Sequence, residues 1–152
     1  MGRKKPEPKA KPKRPKEEKR WLSLPKLEGV LWIWADGWWD YVLSGVCEHD
    51  GKRYYAVCVD ENYDKRFKWF RRYLVVDLPE DVWAEENARH EFFVEKVGSH
   101  FEFDKEKQVR KRDELKNSRT WMEFYERYPC PTTMGGEVRD YKQYTHVGWF
   151  EK

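Results

Sequence analysis

The feature that most restricts the fold is Asp50-Gly51, set between two runs rich in β-branched and aromatic residues, Tyr41–His49 and Lys52–Asp60. Asp-Gly tolerates the positive φ angles of a two-residue type I′ turn, whose twist matches that of its strands. So short a loop also fixes the register. Cys47 is expected opposite Tyr54, Gly45 opposite Ala56, Val46 opposite Tyr55 and Leu43 opposite Cys58. Gly45 beside Ala56 leaves a shallow spot where a ring or another strand can lie close. Both faces carry large apolar groups, so the hairpin belongs inside a curled sheet.

Other elements group around it. Val30–Ala35 reads as a strand buried on both faces, ended by Asp36-Gly37, and Tyr73–Leu78 reads as another. After it, Leu78-Pro79-Glu80-Asp81 signals a helix start with Asp77 as cap. Trp83, Asn87, His90, Val94 and Val97 then form the inward side of a helix that ends at Gly98. A shorter helix is expected after Thr120, with Glu123 completing a capping box, until Pro129 stops it. Tyr144–Phe150 reads as a final edge strand. Residues 104–118 fit either a helix or a loop.

Charge divides the chain into two parts. Residues 1–20 hold ten Lys/Arg, three Glu and four of the eight prolines, whereas every aromatic residue lies at or beyond Trp21. The first part has nothing to bury and reads as a disordered basic arm. Residues 21–152 have the aromatic content for one folded domain. The longest apolar run, Val30–Ala35, is far short of a bilayer span, and no apolar segment follows the basic arm as a secretory signal would. Three cysteines, an odd number, favour free thiols in a reducing compartment. The expectation is a cytoplasmic domain with no membrane partner and no cofactor.

Trp39-Asp40-Tyr41-Val42-Leu43-Ser44-Gly45-Val46, followed by Asp50-Gly51-Lys52-Arg53-Tyr54-Tyr55 and Cys58-Val59-Asp60-Glu61, resembles a pattern in small bacterial proteins of unassigned function. That resemblance spans residues 30–97. It implies the order of elements, hairpin then helix, and no activity.

Three groups of residues invite a chemical reading. Lys65, Arg66, Lys68, Arg71 and Arg72 alternate with Phe67, Trp69, Phe70 and Tyr73. Cations neutralise phosphates while flat rings stack on unpaired bases, so this mixture suits single-stranded nucleic acid. Trp38, next to Trp39 on a strand, is a candidate for an exposed interface ring. In the hairpin register Asp40 faces Glu61 with Asp60 alongside. Carboxylates so crowded need a divalent cation or neighbouring Lys/Arg to neutralise them. A metal-dependent hydrolase would follow only from an open position on such a cation. Zinc is disfavoured, because Cys47 and Cys58 are set too far apart along the hairpin.

The sequence therefore predicts an α+β fold: a small curved antiparallel sheet, half-barrel in form, packed on one longer and one shorter helix. Its expected role is a non-catalytic binding module. It would engage a protein or nucleic-acid partner through exposed aromatics, Trp38 and Trp69 among them, and the basic arm. Direct nucleic-acid binding through Lys65–Arg72 is the first alternative, and a hydrolase around Asp40, Asp60 and Glu61 the second.

Overall fold

The computed structural model describes residues 16–63, 69–116 and 141–152. Five strands, β1 (Leu31–Trp39), β2 (Tyr41–His49), β3 (Lys52–Tyr63), β4 (Trp69–Asp77) and β7 (Thr145–Glu151), pair antiparallel in the order β1-β2-β3-β4-β7. Between β4 and β7 in sequence come the helix α1 (Glu80–Lys96) and a two-residue pairing of β5 (Gly98–Ser99) with β6 (Glu114–Leu115). The fold is α+β and mostly sheet. The shorter helix expected after Thr120 falls outside the described residues, among which α1 is the one α-helix. No described helix is long and apolar enough to cross a membrane.

The hairpin forms as its turn dictates. Asp50 and Gly51 take φ of 49° and 77°, and Gly45–Ala56, Val46–Tyr55 and Cys47–Tyr54 are in register. A Cβ on Gly45 would stand 2.3 Å from the Trp34 carbonyl oxygen, so the shallow spot is filled by the backbone of β1. The described β2–β3 ladder stops at Ser44–Val57, one pair short of Leu43–Cys58. Beyond a bulge between Cys58 and Asp60, β3 continues along β4 and sets Asp60 opposite Arg72 and Glu61 opposite Arg71. Opposite charges across a ladder stabilise it, whereas Asp40 facing Glu61 would not.

Asp36-Gly37 does not end β1, which runs on to Trp39 by absorbing irregularities. Trp32 pairs with Cys47 but Trp34 with Val46, so one residue of β1 is unmatched and the two indoles turn to opposite faces. A second shift, between Ala35 and Gly37, leaves Asp36 as the extra residue.

Each face of the sheet carries a core. On one, Trp32, Val42, Cys47, Ala56, Tyr73 and Phe150 pack with Phe103. The Trp32 ring, on one edge strand, lies 4.9 Å from Tyr73 and 5.3 Å from Phe150 on the other edge. A flat sheet would hold β1 and β7 ~19 Å apart, at ~4.8 Å per strand. The sheet is thus coiled around Trp32, but it remains open, with β1 and β7 as edges rather than neighbours. On the opposite face Trp34, Val46, Tyr55, Leu74 and Val76 pack with Trp21, Tyr141 and the first turn of α1. Trp21 lies near the end of a 3-10 stretch, Lys16–Ser23, that takes in the last part of the basic arm.

Both edges are covered, which removes a template for pairing with other chains. Along β7, Leu27 N donates to Trp149 O at 2.7 Å and Trp149 N to Pro25 O at 3.1 Å. Along β1, Ala35 N donates to Phe101 O and Phe103 N to Ile33 O, at 2.9 and 3.0 Å. The side-chain amide of Gln108 completes the row, accepting from Trp32 N at 2.7 Å and donating to Trp32 O at 3.2 Å. One amide side chain thus stands in for a strand residue.

The helix departs from expectation at both its start and its inward face. Asp77 belongs to β4 and receives a hydrogen bond from Lys52, while Pro79 occupies the cap position without a side-chain cap. The buried helix residues are Glu86 and Phe93, followed by Val97 just past its end, whereas Asn87, His90 and Val94 are half-buried. Apolar periodicity misplaces this face because its centre is a carboxyl group. Gly98 ends the helix region at φ 124°, where a Cβ would meet the Glu114 carbonyl oxygen at 1.9 Å.

Candidate functional site

The residues singled out from the sequence are distributed unevenly. Lys65, Arg66 and Lys68 lie outside the described residues, and Trp69 is described only as the first residue of β4. Arg71 is 1% exposed. Its Nε donates to Glu61 at 2.7 Å, and Nη1 donates to the carbonyls of Tyr41 at 2.8 Å and Val42 at 3.2 Å. The guanidinium thereby fastens β4 to the start of β2. Arg72 bridges Asp60 and Glu151 and lies over the Phe70 and Trp149 rings. These cations answer the acidic group proposed as a metal site: Asp60 and Glu61 face arginines, and Asp40 sits exposed at a tight reversal with φ 60°. No group of three or more His, Cys, Asp or Glu among the described residues is arranged to hold a metal ion. Burial pushes the Cys47 thiol up to about 12 and Cys58 up to about 11, which makes both poor nucleophiles.

A polar cluster that sequence reasoning missed lies between the sheet and α1. The bulge in β1 turns Asp36 inward, where Tyr55 OH donates to its Oδ2 at 2.7 Å and Arg89 Nη2 lies at 3.1 Å from the same oxygen. Arg89 also donates to Glu86 Oε1, and Tyr141 OH donates to Glu86 Oε2 at 2.6 Å. Glu86 is fully buried, and its carboxyl is pushed up to about 8, by desolvation first and then by the nearby Asp36 charge. Arg89 and Tyr141 oppose that rise. A carboxyl desolvated beside a second carboxylate favours keeping its own proton. Such pairs can perform acid–base chemistry, but these described contacts join β1, β3, α1 and the 3-10 turn Tyr141–Gln143, and they brace the helix against the sheet. A second brace stands beside it. His90 stacks on Trp34 at 3.9 Å and 5°, and its Nε2 meets Glu102 at 3.1 Å. Burial lowers the His90 pKa, outweighing Glu102.

The arrangement best suited to a partner is at the far end of β1. Trp38, half-buried, stacks on Phe101 with centroids 4.9 Å apart and planes 8° apart. Tyr41 adjoins Trp38 at 5.6 Å. The Arg110 guanidinium lies 4.2 Å from the Phe101 centroid and 5.2 Å from that of Trp38. Arg110 belongs to a loop with five cations, Lys105, Lys107, Arg110, Lys111 and Arg112, against one acid, Glu106; every one of these residues is exposed. The loop is ordered by its own hydrogen bonds. Asp104 Oδ1 accepts from the backbone N–H of Glu106 and Lys107 at 3.0 and 2.9 Å, and these bonds, Lys107 first, lower the Asp104 pKa. Gln108 N donates to Asp104 O at 2.8 Å, and Asp104 N to Val109 O at 2.9 Å. Residues 104–110 are therefore a compact turn, neither helix nor open coil. The signals in the sequence were the Phe101-Glu102-Phe103 alternation and the Asp104 side chain placed to cap its own turn.

Neither family models nor curated proteins nor solved structures match this chain, so its function has to be argued from these residues.

Proposed function

We propose that the protein is a non-catalytic binding module whose polyanionic partner docks on the Lys105–Arg112 loop beside Trp38, with the basic arm assisting. The observation that carries this reading is the juxtaposition of an ordered, exposed cationic loop with a stacked pair of rings. Cations on such a loop attract polyanions over a distance set by screening, and the loop's internal hydrogen bonds reduce the ordering cost of binding. Arg71 and Arg72, expected on the binding surface, are engaged by Glu61, Asp60 and Glu151 instead, which moves the centre of the proposed surface to Trp38 and its loop.

The test is retention on immobilised heparin. Lys107, Lys111 and Arg112 replaced together by Gln should lower the salt needed for elution while the circular dichroism spectrum is unchanged. Elution at the wild-type salt concentration would assign all polyanion affinity to the arm and overturn the proposal.

A further inference from the structure

We infer that the Trp38–Phe101 ledge takes an unpaired base, so that the partner on this loop is a single-stranded nucleic acid. The inference deepens the proposed function and rests on it. Charge alone does not choose between partners, because phosphates and carboxylates both answer the loop's cations. The rings do choose. Trp38 and Phe101 are nearly parallel and both half-buried; the His100 ring lies against Phe101 at 3.6 Å, and a guanidinium stands 4.2 Å from the Phe101 centroid and 5.2 Å from that of Trp38. A planar group with polar edges, laid on a ring at stacking distance, occupies the place that a nucleobase would take. An acidic peptide carries flat rings only at scattered positions, whereas every nucleotide of a strand offers one beside its phosphate. A duplex keeps its bases within its own stack, which leaves the free strand as the ligand with bases to offer.

The cover is held in a way that suits its displacement. Arg110 Nη2 donates to Asp113 Oδ2, which also lies 3.1 Å from His100 Nδ1. Swung off Phe101, the guanidinium keeps its carboxylate partner, and a base replaces one stacking contact with another. Lys107, Lys111 and Arg112 stand exposed on the same ordered loop, where they would meet the phosphates on either side of that base. Stacking of a base on an aromatic side chain is worth ~1–3 kcal/mol, or about 5- to 150-fold in affinity.

The experiment measures, by fluorescence anisotropy with the full chain, binding to an unstructured labelled oligonucleotide, to a duplex of equal length, and to heparin. Trp38→Leu should weaken the single strand about 5- to 150-fold and leave heparin unchanged, and the wild type should prefer single strand to duplex. Arg110→Gln, which uncovers the rings and removes one charge, should lose more affinity for heparin than for the single strand; it decides the matter if Trp38→Leu does not fold. Equal losses on both ligands for either variant, or a duplex bound as tightly as the single strand, overturn base stacking and leave the polyanion reading standing. A wild type that binds neither heparin nor oligonucleotide removes both.

Discussion

Replacing Glu86 by Gln tests the buried carboxyl cluster through the pH dependence of stability. Glu86 ionises near 4.5 in a solvated chain and at about 8 in the fold, with desolvation the first cause and the Asp36 charge the second. A raised value means that the fold prefers the protonated acid. Its contribution is complete below pH 4.5 and is lost as pH rises towards 8. Each pH unit within that interval costs ~1.4 kcal/mol, so the group accounts for at most ~5 kcal/mol between mildly acidic and alkaline conditions. Gln keeps the shape of the protonated acid and cannot ionise. Urea unfolding from pH 5 to pH 9 should show wild-type stability falling with pH and the Glu86→Gln curve flatter. The two should be similar near pH 5, and the variant should be the more stable at pH 9. His90 and His100, whose values burial lowers, contribute in the opposite sense, with stability lost as pH falls below 6.5. Both proteins retain these histidines, so their effect largely cancels in the comparison. Parallel curves would refute a protonated Glu86.

The remaining predictions concern the frame. Gly45→Ala places a methyl group 2.3 Å from the Trp34 carbonyl and 2.9 Å from the Ala35 Cα, so β1 must shift and thermal unfolding should report a loss of ~1–3 kcal/mol. Arg71→Ala removes the side-chain donor to the Tyr41 carbonyl and leaves Val42 O with Tyr73 OH alone; chemical denaturation should register a cost on the order of 3 kcal/mol, insensitive to salt because the guanidinium is buried. Gln108→Ala frees both backbone groups of Trp32 on the β1 edge, for ~1–3 kcal/mol by thermal melt, and light scattering should show concentration-dependent association through that edge.

Elements fixed by local chemistry were legible in the sequence. Asp50-Gly51 specified a turn and with it the register down to Ser44–Val57, and Gly98 marked the end of the helix region because only glycine fits there. What could not be read depended on contacts between distant residues. The bulge at Asp36 looked like a strand break because Asp-Gly usually is one; its role as an inward turn exists only through Tyr55 and Arg89. Glu86 broke the apolar pattern of α1 because its partners are supplied by residues as remote as Tyr141. Of the candidate site, Trp38 was recognised but its neighbours Phe101 and Arg110 were not, since the turn that delivers them is held by Asp104 and by Gln108 acting on Trp32. Arg71 shows the converse: a cation in a basic-aromatic run whose charge is used inside the sheet.

The central claim, that the Lys105–Arg112 loop meets a polyanion, is tested most directly by the salt dependence of oligonucleotide affinity. For a single strand the logarithm of the binding constant falls with the logarithm of salt concentration by ~0.7 per phosphate neutralised. Wild type and the chain with Lys107, Lys111 and Arg112 replaced by Gln should differ in slope by about 2, the variant being the shallower. Coincident slopes and affinities would contradict the account.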